Sequence, residues 1–124
     1  MYPDIFRHVL QSPDVRALLG ELPTRFYPSG KSEQDGSLPY AVWQTVGGLP
    51  ENYIDTTPDI DSYSIQIDVW ARSVSESRSV AEALRDALES RCHITSWRGE
   101  SIDPDTNHHN FSFDIDWFQS RNPE

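Results

Sequence analysis

One cysteine, Cys92, in a chain of 124 residues leaves no internal disulfide and no multi-cysteine metal site. Placed just after a helical apolar stripe, it is expected to sit at the helix end and pack as a small hydrophobe. No apolar run is long enough to span a bilayer, and no basic-then-apolar leader opens the chain. The protein is therefore expected to be made and kept in a cytosol, away from membranes. Basic side chains are scarce: 10 Lys and Arg stand against 20 Asp and Glu, a formal net charge of −10. Such a surface repels nucleic-acid phosphates and anionic lipid, which argues against DNA-binding and membrane-surface roles. There is no Gly-rich phosphate loop, no Ser or Cys nucleophile motif, no zinc spacing and no basic–aromatic nucleic-acid face. No catalytic residue, metal or cofactor is expected.

What remains is globular. Hydrophobic residues make up 36% and charged residues 24%, within the range of folded domains. A chain of this length buries roughly two-thirds of its unfolded surface, enough for one domain over residues 1–124 with an ordinary core.

The stretch Ile60–Arg72 organises the chain. Tyr63, Ile65, Ile67, Val69 and Ala71 alternate strictly with Ser64, Gln66, Asp68, Trp70 and Arg72, the period of a half-buried strand. Ser73-Val74-Ser75-Glu76 then reads as a capping box. Behind it Val80, Ala81, Leu84, Ala87 and Leu88 form one stripe of a helix over about 74–91. That helix is expected to lie on the Tyr63/Ile65/Ile67/Val69 face, the minimum two-layer core.

Before this unit, Ile5, Phe6, Val9 and Leu10, then Ser12-Pro13-Asp14 with Val15, Leu18 and Leu19, read as N-terminal helices within 3–20, with Gly20 as the stop. Thr24–Tyr27 reads as a short strand and Tyr40–Val46 as a longer one. Pro28–Pro39 and Gly47–Asp59 read as loops. After the helix, His93–Trp97 reads as a short strand, Arg98–His108 as a loop and Asn110–Phe118 as the last strand, with Gln119–Glu124 frayed. The fold class expected is α+β: one domain with an antiparallel or mixed sheet of four to five strands, flanked by the N-terminal helices and one longer helix.

Three constellations could carry function. Asp68, Asp114 and Asp116 point outward from their strands. They form a solvated strand face, an acidic wall past which a polyanion slides, or, with His108 or His109, the ligands of a small metal-dependent hydrolase. Trp70 and Phe118 close the outward rows of two strands with the same pattern, Ser64–Trp70 and Ser112–Phe118. If the strands are neighbours, these rings are expected to form one exposed patch suited to a subunit interface. Leu49, Glu51, Asn52, Tyr53 and Ile54 sit in a long loop of the kind that binds a partner or folds back on its own domain.

The chain also carries a family resemblance. In order, it shows Val15-Arg-Ala-Leu-Leu-Gly20, Arg25-Phe-Tyr-Pro28, Pro39-Tyr-Ala-Val-Trp-Gln44, Pro50-Glu-Asn-Tyr53 and Pro58-Asp-Ile-Asp61. These are followed by the strand Ser64–Trp70, the helix Ala81–Leu88 and Phe113-Asp-Ile-Asp-Trp117. This resembles the tail completion, or tail-to-head joining, proteins of long-tailed bacteriophages, which are related to phage tail terminators. The resemblance covers about Val15 to Trp117. It implies a small α+β virion protein forming a homo-oligomeric ring, a hexamer, at the head-proximal end of the tail tube. Its partners would be the tail tube protein and the head–tail connector or stopper, with DNA passing through unbound. A head-side connector or stopper of the neck is the nearest alternative.

Overall fold

The structure is a computed structural model that describes residues 5–20, 24–28, 38–50, 60–90 and 92–120. The elements run α1 (Ile5–Leu10), α2 (Pro13–Leu19), β1 (Phe26–Pro28), β2 (Tyr40–Pro50), β3 (Ile60–Ala71), α3 (Val74–Leu88), β4 (Cys92–Ile102) and β5 (His109–Ser120). The strands form one five-stranded sheet in the order β1-β2-β3-β5-β4. β1 pairs parallel to β2, and the other pairings are antiparallel. The fold is α+β, a mixed sheet with helices on one face. The smallest strand is the three-residue β1, at the edge of the sheet beside β2.

The expected alternation of Ile60–Arg72 holds and has a partner. β3 pairs with β5 along its whole length, from Ile60 opposite Ser120 to Ala71 opposite His109. Ile65, Ile67 and Val69 from β3 and Phe111, Phe113, Ile115 and Trp117 from β5 all point inward and are buried. α3 covers this face with Val80, Ala81, Leu84 and Leu88. α1 and α2 extend the cover through Ile5, Val9, Val15 and Leu19. Removing this apolar surface from water is the main favourable term, at roughly 25 cal/mol per Å².

Both longer helices start as their sequences dictate. The Ser12 hydroxyl accepts from Val15 N–H with Pro13 as first helical residue, and Gly20 ends α2 at φ 89°, a left-handed value that favours glycine. At α3 the Ser73 hydroxyl accepts from Glu76 N–H at 3.1 Å. The Glu76 carboxylate reaches back one residue further than the Ser73 N–H, to Arg72 N–H at 3.0 Å. The same carboxylate takes the Arg72 guanidinium at 2.7 Å, so the strand-to-helix turn is clamped from both sides.

Four boundaries differ from the sequence expectation. β2 continues through Gly47-Gly48-Leu49 to Pro50 because a bulge between Thr45 and Gly47 absorbs one residue and lets pairing resume. β4 runs to Ile102 rather than stopping at Trp97. It carries bulges at Ile94/Ser96 and Trp97/Gly99, and each one flips the inward parity and erases the alternation. α3 ends at Leu88, not 91, where its apolar stripe stops. Cys92 therefore opens β4 opposite Trp117 instead of ending the helix. β5 extends to Ser120, so the fraying expected at Gln119 does not begin there; residues 121–124 lie outside the described residues.

Cys92 is buried within the core cluster. Burial, with Glu89 and Asp116 nearby, pushes its thiol up to about 11, so it packs as the small hydrophobe expected.

Replacing Ser73 by Ala removes the α3 cap and is expected to cost about 1 kcal/mol of unfolding free energy, read by urea denaturation at pH 7. The Arg72 guanidinium bonded to Glu76 holds that carboxyl below its ordinary value of 4.5. A depressed carboxyl stabilises the fold above its unfolded value, and the contribution is lost as pH falls through the lower folded value. The stability difference between the native chain and Glu76→Gln is therefore expected to shrink below pH 4.5. A difference that stays constant from pH 7 to pH 3 would refute this clamp.

Candidate interaction face of the sheet

Among the described residues the helices occupy one face of the sheet and none lies on the other, as an antiparallel sheet allows. Residues on this outer face follow from the register. Tyr40, Trp70 and Asn110 lie side by side at one end; then come Val42, Asp68 and Ser112; then Gln44, Gln66 and Asp114; then Ser64, Asp116 and His93 toward the far end.

The three aspartates do not converge. Each lies opposite a neutral residue of its partner strand: Asp68 opposite Ser112, Asp114 opposite Gln66, Asp116 opposite Ser64. Like charges directly opposite one another would be destabilising. Asp68 accepts from Gln66 Nε2 at 3.0 Å, from the Ser112 hydroxyl and from Asn110 Nδ2 at 3.5 Å. Asn110, 9% exposed, also donates to the Val69 carbonyl at 3.2 Å and accepts from Ser112 at 3.0 Å. Asp114 pairs with Arg98 at 3.0 Å, and Asp116 accepts from Ser64 at 3.3 Å. The face is a hydrogen-bonded polar sheet with a net acidic row.

The hydrolase alternative needs these aspartates beside His108 or His109. His109 instead pairs opposite Ala71 and Ile102, several residues along the sheet from Asp114 and Asp116. Among the described residues no group of three or more His, Cys, Asp or Glu is placed to hold a metal. Asp103, Asp105 and Asn107 make a tight polar turn between β4 and β5, with Asp103 Oδ1 accepting from Asp105 N–H at 2.9 Å.

Trp70 and Phe118 do not form the single patch expected of neighbouring strands. β3 and β5 are neighbours but antiparallel, so Trp70 lies opposite Asn110 and Phe118 opposite Ser62. The two rings are at opposite ends of the face, roughly 27 Å apart at about 3.4 Å per residue. Each has acquired a different companion. Trp70 is beside Tyr40 on β2, whose phenol is pushed up by burial. Phe118 meets the His93 ring edge-on at 5.5 Å. Local sequence pattern does not mark Tyr40 and His93 as companions of these rings. The sequence places Tyr40 with Val42 and Gln44 on one face of a strand, but only the β2–β3 register sets it against Trp70.

Of the expected partner-binding loop, Leu49 belongs to β2, opposite Ser62. Glu51, Asn52, Tyr53 and Ile54 lie outside the described residues. The exposed large apolar side chains among the described residues are Phe6, Val46 at the β2 bulge, Trp97 and Ile102, whereas Trp70 and Phe118 are half-buried. Trp97 is held from above by the Arg85 guanidinium, 5.3 Å from its ring, a cation–π contact that ties α3 to the β4 edge. No described helix is long and apolar enough to cross a membrane.

The family profile for tail completion protein gp17 matches residues 3–120. The chain belongs to this family. It is a structural protein of the bacteriophage virion, located in the tail and working among other tail and head proteins. Two solved structures share its fold. The gp17 protein of bacteriophage SPP1 is 10% identical, with 97% of this chain and 88% of that one covered at a TM-score of 0.56. A chain of the virion of a native gene transfer agent particle is 11% identical, with 92% and 90% covered at a TM-score of 0.59. A comparison with curated protein sequences gives no match.

Replacing Asn110 by Ala leaves Asp68 and the Val69 carbonyl short of a donor in a half-buried site. It is expected to cost about 1–3 kcal/mol by chemical denaturation. Asp116→Asn, at an exposed bond, is expected to stay within about 0.5 kcal/mol. Equal losses from both variants would contradict the network.

Proposed function

We propose that this protein assembles as a homo-oligomeric ring, a hexamer, on the head-proximal end of the tail tube. There it stops tube polymerisation and presents a surface to the head–tail connector or stopper. Membership of the tail completion family over residues 3–120 carries this reading. It is supported by similarity in fold to the SPP1 gp17 protein and to a chain of the virion of a native gene transfer agent particle.

The physical features of the chain suit such a role. The net charge of −10 and the outward row of Asp68, Asp114 and Asp116 would keep DNA from adhering as it passes, since like charges repel at short range and little free counter-charge is offered. A sheet face on which no described helix lies would give a ring subunit a pre-ordered surface for neighbours. Glu51, Asn52, Tyr53 and Ile54 belong to the sequence that connects β2 to β3, just after Leu49. We assign partner contact to that connection, because segments between strands carry binding residues more often than the strands they join.

Electron microscopy of tails made without this gene tests the reading. Overgrown tails of irregular length are expected if the ring ends polymerisation. Normal-length tails that fail to join filled heads would restrict the role to joining, and a head with no sealed connector would move the protein to the head side of the neck. Fully infectious particles would refute the proposal. A chain lacking Glu51–Ile54 is expected to fold, as read by circular dichroism, but to leave tails unjoined; normal joining would reject the assignment to this connection.

A further inference from the structure

We draw no further inference here: the strongest candidate, the apolar patch that Trp97 and Ile102 expose along β4 beside α3, carries nothing because nothing in the structure shows what covers it.

Discussion

The antiparallel pairing of β3 with β5 is the constraint on which the rest of this molecule depends. The two strands match along their whole length, from Ile60 opposite Ser120 to Ala71 opposite His109. Because a strand exposes alternate residues to alternate faces, that one register decides both sides of the sheet at once. Inward, it lays Ile65 and Ile67 against Ile115 and Phe113 and gives α3 a continuous apolar floor. Outward, it sets every aspartate of the pair opposite a serine or glutamine. A slip of two residues would preserve the core but could bring Asp68 opposite Asp114, a repulsion that the present register avoids.

The helical layer and the sheet edges follow from this platform. α3 begins two residues after β3 ends, and the Ser73–Glu76–Arg72 clamp sets the angle at which it returns over the sheet. Arg78 paired with Glu100 and Arg85 over Trp97 then pin its outer flank to β4. That strand is an edge, and its two bulges and its Arg98 and Glu100 side chains make it a poor template for stray pairing. The opposite edge is short and built from β1, which α2 delivers beside β2. Among the described residues the helices thus lie on one face, while the other is a polar surface with an aromatic pair at each of two corners.

For a tail completion protein, this division of labour has a physical logic. In the ring proposed above, the wall of a DNA path must not bind the DNA. Acidic charge on the sheet would serve that need at little cost to the fold, because Asp68, Asp114 and Asp116 each have a neutral or basic companion in the same chain.

The strict alternation in Ile60–Arg72, the Ser73–Glu76 cap, the stripe Val80–Leu88 and the alternation in Asn110–Phe118 made the sheet, the long helix and their mutual packing legible in sequence. These are local patterns whose physics acts within a few residues, and the family resemblance drew on the same segments. Partner strand and register were not legible, because they depend on residues far apart in the chain. That is why Trp70 and Phe118 looked like one patch and proved to be two, each with a companion, Tyr40 or His93, contributed by another strand. The bulges in β2 and β4 were equally hidden, since an inserted residue breaks the period by which a strand is read. In β3, β5 and α3 the sequence alone determined which residues face in and which face out; only the tertiary structure decided the parity of β4 and which outward residues stand together, because those choices are made by bulges and long-range backbone pairing and not by any property of the residues themselves.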